Sequence, residues 1–327
     1  MKFWIAQILL YCLGFAGAVG ATPATKQGAD PLAPIILDDL HYYSVDNERM
    51  KAFFAEHFGA KRMKEQPMNP IRFIDFYLVH PGQTTLNFSG KGPFEGMRVG
   101  DPKRWEKETV PPTTELPPMY GVHWIALATP NLDRALLRLE KNGVTVAARK
   151  FSLPGEPNAK ATAIYTPDFN LLVLVDRPTQ KFQAPFSIDH IQLLVRSVPQ
   201  NVAFYAEVFR GKTIRATDRA TTMEIGQHRF VLAEPEGLGI ERDKVVMRDP
   251  KQFRSNIDHI GFLYRDTQPI YEYALARGYK FLLKPTHLYY FDKATPYSFG
   301  ILFSPDGLQC EMVMETGRLG PRTLVAE

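Results

Sequence analysis

Residues 257–260 read Ile257-Asp258-His259-Ile260, and the chain repeats this short start three more times. The other copies are Leu40-His41-Tyr42-Tyr43, Val122-His123-Trp124-Ile125 and Asp189-His190-Ile191-Gln192. Each opens a β-branched or aromatic run of the kind that forms a strand. Each then crosses a polar turn into a helical pattern. In the second copy Leu132, Ala135, Leu136 and Leu139 fall at i, i+3, i+4 and i+7, and in the third Val198, Val202, Tyr205 and Phe209 share one face. A glycine follows each helix: Gly59, Gly143, Gly211 and Gly278 lie 18, 20, 21 and 19 residues after His41, His123, His190 and His259. Glycine suits a helix end because it enters the left-handed conformation without a Cβ clash. The near-constant distance supports the repeat independently, since the glycines played no part in aligning the histidines.

After each glycine come further strand-like stretches, such as Arg72–His80 with Thr84–Phe88 and Ala161–Tyr165 with Leu171–Val175. The predicted unit is therefore strand, helix and about three strands. Four such units occupy about 36–89, 120–180, 186–245 and 255–318. The longest interval between starts holds a Pro-rich insert, 90–119, with Pro111-Pro112 and Pro117-Pro118, which reads as a loop or lid. Units of this size are too small to stand alone and are expected to pack in pairs. Pairing sequence neighbours gives two domains, 36–180 and 186–318. Pairing unit one with unit four is the other arrangement the sequence allows.

Of 327 residues, 45% are apolar, 12% aromatic and 23% charged, which excludes an intrinsically disordered chain. Thirty-nine basic against 35 acidic residues leave a charge of +4 spread along the chain, so no nucleic-acid footprint is expected. Residues 1–21 read as a secretory signal peptide. Lys2 is followed by an apolar run from Phe3 to Gly20 broken only by Gln7, with Val19 and Ala21 placed for cleavage. The expected mature protein is secreted or periplasmic and carries no membrane segment. It retains one cysteine, Cys310, so an internal disulfide is excluded.

A βαβββ unit opening I-D-H-I and closing P-D-G-x-x-x-E resembles the vicinal oxygen chelate superfamily. That superfamily includes glyoxalase I, the type I extradiol dioxygenases and the bleomycin-resistance proteins. The matching residues are Ile188-Asp189-His190-Ile191, Ile257-Asp258-His259-Ile260, and Ser304-Pro305-Asp306-Gly307 followed by Glu311. The resemblance implies an α+β fold of four tandem βαβββ modules paired into two open, cup-like β-barrels. It also places ligands on the first and last strands of each unit, pointing inward.

The fourth unit keeps both ligand types, His259 and Glu311, and the third keeps His190 but has Val231 where a carboxylate would stand. Paired, these units would supply His190, His259 and Glu311. Two histidines and one carboxylate form the ligand set of non-haem Fe(II) oxygenases, and Mn(II) or Zn(II) also suit it. Units one and two keep His41 and His123, yet register places Val173 opposite Glu311 and Thr84–Phe88 holds no carboxylate, so this pair reads as a degenerate cup. Were unit one to pair with unit four, His41, His259 and Glu311 would meet instead.

Four units look most like the extradiol dioxygenases, which implies Fe(II) and ring cleavage of a small aromatic, catechol-like substrate. Protonatable groups are then needed near the metal. His228, His287, Tyr289, Tyr290 and Tyr297 are candidates by location. One departure is that Ile301 stands near where the extradiol pattern has a tyrosine. Cys310 neighbours Glu311 and should face away from the metal, because successive strand residues alternate. Glyoxalase-type isomerase or lyase chemistry, and a non-catalytic cup that sequesters a hydrophobic ligand, are the alternatives. A homo-oligomer is compatible with any of these.

Overall fold

The computed structural model describes residues 30–44, 46–62, 75–80, 84–89, 117–182, 185–247, 256–288 and 297–319. The stretch expected to be a leader, most of the Pro-rich insert, Tyr289 and Tyr290 lie outside them. Four βαβββ units follow one another. Unit one is β1 (Ile36–Tyr43), α1 (Asn47–Phe58), β2 (Lys61–Arg62), β3 (Asp75–His80) and β4 (Thr84–Ser89). Unit two is β5 (Gly121–Thr129), α2 (Leu132–Lys141), β6 (Val146–Leu153), β7 (Glu156–Tyr165) and β8 (Leu171–Asp176). Unit three is β9 (Ser187–Leu194), α3 (Val198–Phe209), β10 (Lys212–Ala216), β11 (Ala220–Ile225) and β12 (His228–Ala233). Unit four is β13 (Asn256–Leu263), α4 (Gln268–Ala276), β14 (Phe281–Leu288), β15 (Tyr297–Phe303) and β16 (Gln309–Glu315).

Local sequence explains the helix ends. Asp46, Asn131 and Ser197 cap the first three helices by accepting from the backbone N–H three residues on. Gly59, Gly143 and Gly278 take the expected positive φ, at 70°, 79° and 80°. In unit three the left-handed residue is instead Arg210, φ 54°. Gly211 serves packing: a Cβ there would stand 2.9 Å from Ile225 and 3.0 Å from Met223 on β11.

Two eight-stranded sheets result, with the orders β14-β15-β16-β13-β1-β4-β3-β2 and β10-β11-β12-β9-β5-β8-β7-β6. Both orders are linear, so the sheets are open rather than closed barrels. Unit one therefore shares a sheet with unit four, and unit two with unit three. The division into 36–180 and 186–318 does not describe the sheets. Chain connection supplies a physical reason. The shortest link between units, 177–186, joins the two that pair directly, whereas the chain between β4 and β5 and between β12 and β13 is longer and its ends lie in different sheets. At each seam the first strands run antiparallel, β1 against β13 and β5 against β9.

The largest hydrophobic cluster takes in both sheets and all four helices, with Phe54, Leu136, Phe204 and Ile270 among its members. Burial of each such side chain contributes roughly 1.5–3 kcal/mol. Cys310 and Met312 face this core, so the cysteine turns away from Glu311 as alternation requires. The sheets touch where Leu37 donates its N–H to the Gly226 carbonyl at 3.1 Å. A Cβ on Gly226 would stand 2.7 Å from the Ile36 carbonyl carbon, so only glycine admits this approach. Asp306, from the Pro-Asp-Gly motif, ties the two sheets again. It accepts from Arg196 N at 3.1 Å, Arg196 Nε at 2.7 Å and Asn201 Nδ2 at 2.7 Å.

Candidate metal centre

The seam of the first sheet places His41 opposite His259. Just before His259 the register slips, so that Tyr42 pairs with Ile257 and Asp258 is an extra, bulged residue. A bulge re-aims its side chain, and Asp258 Oδ2 lies 3.1 Å from Nδ1 of the neighbouring His259. That contact orients the ring and leaves Nε2 for the cup, the pattern by which carboxylates fix metal-binding histidines. His259 Nε2 lies 3.5 Å from Glu311 Oε2. The His41 ring stands 4.3 Å from the His259 ring, centroid to centroid.

One step along, Asp39, Gly261 and Glu311 form a row across three strands. A Cβ on Gly261 would fall 1.7 Å from Asp39 Oδ1 and 3.2 Å from Glu311 Oε2. The missing side chain is what lets both carboxylates reach over the strand between them. Ligand atoms of Asp39, His41 and His259 lie within 4.8 Å of one another, the one such group among the described residues. Asp39, His41, His259 and Glu311 are 2%, 4%, 7% and 8% exposed. Ions this deeply buried cost several kcal/mol each unless compensated.

The electrostatics respond accordingly. Burial pushes His259 down, but its contacts with Asp258 and Glu311 outweigh that and raise it to about 10. Burial, with the charge of His259 beside it, holds His41 well below the ordinary imidazole value. Ligands around a first-row divalent ion sit about 2.0–2.2 Å from it, so pairs of donor atoms span about 3–4 Å. The donor atoms of Asp39, His41 and His259, all within 4.8 Å of one another, are of the types such an ion takes, and Glu311 Oε2 stands beside them, 3.5 Å from His259 Nε2.

His190 does not join this group. It lies on the second sheet, opposite Ala126, with Val231 in the register position that Glu311 fills in unit four. The expected trio His190, His259 and Glu311 is therefore split, because units three and four do not share a sheet. His190 instead belongs to a structural network. Its Nδ1 lies 2.8 Å from Asp189 Oδ2, and Asp189 also accepts from Arg177 at 2.8 and 3.0 Å and from Arg229 at 2.7 Å. Burial alone would raise the Asp189 carboxyl, but His190 and Arg177, with the charge of Arg229, hold it well below the usual carboxylate range.

His123 sits in a bulge between Val122 and Trp124, so Ala126, not His123, occupies the seam position. Val173 pairs with Ala126, and Val175 holds the place equivalent to Glu311. His41, assigned to a degenerate cup with His123, is at the centre of the constellation. His228 begins β12 on the second sheet, its Nδ1 3.1 Å from the Gly226 carbonyl oxygen, and burial lowers its pKa. His287 and Tyr297 lie on the first sheet, paired by backbone register with Ser298 and Leu288. Ile301 pairs directly with Glu311 and is buried. Asp39 was missed by sequence reasoning. Its signal was the alternation Asp39-Leu40-His41, which places the carboxylate on the histidine's own face.

The family model of the Glyoxalase/Bleomycin resistance protein/Dioxygenase superfamily matches residues 36–174 and 187–312. The chain belongs to that superfamily. Among solved structures it is similar to glyoxalase I from Zea mays, with a TM-score of 0.60, 14% identity, and coverage of 85% of this chain and 92% of that one. It is likewise similar to a proposed dioxygenase from Bacillus subtilis, with a TM-score of 0.60, 13% identity, and coverage of 88% and 87%. At these identities the likeness concerns the fold. No curated protein matches the chain.

Proposed function

We propose that this member of the superfamily is a divalent-metal-dependent enzyme that moves a proton on a small carbonyl-containing substrate, as glyoxalase-type isomerases and lyases do. The observation that carries the reading is the second carboxylate. Asp39 groups with His41 and His259, while Glu311 reaches over Gly261 from the opposite side. His41, His259 and Asp39 would hold the ion, and Mn(II), Fe(II) and Zn(II) all suit such donors. Bound there, the ion supplies Lewis acidity to a substrate carbonyl oxygen.

Glu311 is then the group that moves the proton. Its carboxylate takes the proton from the hydroxyl-bearing carbon beside the carbonyl and delivers it to the former carbonyl carbon, while the hydroxyl proton passes to the former carbonyl oxygen, so hydroxyl and carbonyl exchange places with no net oxidation. The walls of the cup, Ile301 among them, keep water from the exposed carbanion character of that step. Ring cleavage of a catechol is the second reading, favoured by the two-histidine, one-carboxylate set. The buried Ile301 beside Glu311 counts against it, since no protonatable group occupies that place. Export of the mature protein rests on the leader alone and is part of the proposal, checked by sequencing the N-terminus of the mature chain.

Elemental analysis and turnover test the assignment together. Asp39→Asn is expected to lose metal, whereas Glu311→Gln keeps it and loses at least about 100-fold in rate, the span of a general base. Solvent deuterium should appear in the product of a 2-hydroxy-carbonyl substrate. Metal retained in Asp39→Asn, or stoichiometric oxygen consumption with a catechol, would overturn the reading.

A further inference from the structure

The metal centre depends on a break in the alternation of β1. Along a regular strand, residues two apart share a face. Leu37, Leu40 and Tyr42 belong to the largest hydrophobic cluster, whereas Asp39 and His41 stand in the metal group. Leu37 and Asp39 are two apart, yet they face opposite sides. Leu37 pairs with Phe262 and Asp39 with the adjacent Gly261, so Asp38 is an extra, bulged residue. Without that bulge, the phase set by Leu37 would turn Asp39 and His41 toward the core and Leu40 toward the cup.

The bulged residue is costly to bury. Asp38 is 5% exposed, and a carboxylate at that depth needs a cation. Arg318 supplies it. This residue follows β16 through a turn in which Gly317 has a φ of 83° and Arg318 donates its N–H to the Glu315 carbonyl at 3.0 Å. Because β13 lies between β16 and β1, the side chain reaches over one strand to donate from Nη2 to Asp38 Oδ1. Its Nη1 donates to Glu315 Oε2 at 2.8 Å, which fixes the other arm of the guanidinium. The Arg318 side chain is 12% exposed, so solvent ions screen the pair little. A second restraint holds the residue before the bulge, since the Gly226 carbonyl of the other sheet takes the Leu37 N–H.

We infer that Arg318 is a positioning residue of the metal centre: by holding Asp38 in the bulge, it sets the phase of β1 that presents Asp39 and His41 to the ion. This role presupposes the divalent ion proposed above. Opening the clamp acts on two of the donors selectively. Asp38 without its cation is driven toward water, which loosens Asp39 and His41 on the same strand. His259 and Glu311, on β13 and β16, keep their places.

Co(II), whose visible absorption reports the ligands around it, is a suitable probe, with affinity read on the full-length protein by competition against a chelating dye. The parent is expected to bind one ion per chain. Arg318→Ala should weaken Co(II) about tenfold and shift its absorption band, and Arg318→Lys should recover most of the affinity. Asp38→Asn keeps the shape and removes the charge; it should match Arg318→Ala, and it carries the test if that variant does not fold. The double variant should be no weaker than either single one, because both open the same clamp. Asp189→Ala opens a buried ion pair in the other sheet and should leave Co(II) affinity unchanged, which separates positioning from general loss of stability. Parent-like affinity in Arg318→Ala or Asp38→Asn, additive losses in the double variant, or an equal loss in Asp189→Ala would overturn the inference while the metal reading stands. A parent that binds no Co(II) would overturn the metal reading itself, and this role with it.

Discussion

The two cups begin from the same local device and end in different chemistry. In each, an Asp-His pair sits at a bulge beside the seam, Asp258-His259 in one and Asp189-His190 in the other, and the aspartate holds the histidine's Nδ1. What differs is what stands across the seam. Gly261 leaves open the space that two carboxylates fill, while Gln192 occupies the same place and spends its amide on the Val231 and Leu193 carbonyls. One oriented histidine does not make a metal centre. The neighbouring strands decide whether its Nε2 meets other donors or apolar walls.

The sharpest way to break this comparison is to remove each histidine in turn. His259→Ala is expected to take metal occupancy from one ion per chain to none, and His190→Ala to leave it unchanged, as read by elemental analysis of protein isolated without oxygen. Loss of metal in His190→Ala would return the centre to the second cup. Next in size is Gly261→Ala, whose Cβ intrudes on Asp39. Metal affinity should fall about 10–100-fold by competition with a chelating dye, with the urea midpoint little changed.

The paired aspartates offer a finer contrast. Asp258→Ala should lower metal affinity about tenfold through the orientation of His259. Asp189→Ala should leave affinity alone and cost about 3 kcal/mol of stability, because Arg177 and Arg229 lose their buried partner. The smallest effect is one of pH. The Asp189 carboxyl is held below its unfolded value, so its contribution to stability is complete above about pH 4 and is lost as pH falls toward its folded value. In Asp189→Asn the urea midpoint should therefore fall less steeply below pH 4 than in the parent. Parallel curves would remove Asp189 from the acid transition.

The repeat was legible because strands, helices and their caps follow local rules. Leu132, Ala135, Leu136 and Leu139 are all buried on α2, and three of the four glycines take the positive φ that a helix end favours. His259 and Glu311 were legible as a pair, since both stand on strands of one unit and that unit's fold carries them together. Asp39 was within reach of a period-two reading. The place of Ala126 was not, because the bulge at His123 displaces every later residue of β5 in a way that no local pattern marks.

From sequence alone came the four βαβββ units, the histidines that open them, the inward carboxylate of the last strand and the outward turn of Cys310. Tertiary structure alone decided that unit one meets unit four, and hence that His41 rather than His190 stands beside His259. The reason is the range of the interactions. A strand's alternation and a helix's cap are set within a few residues, whereas the antiparallel pairing of β1 with β13 joins segments from opposite ends of the fold. That pairing depends on which edges the intervening links can bring together, and on the shared core that closes only when both sheets are in place.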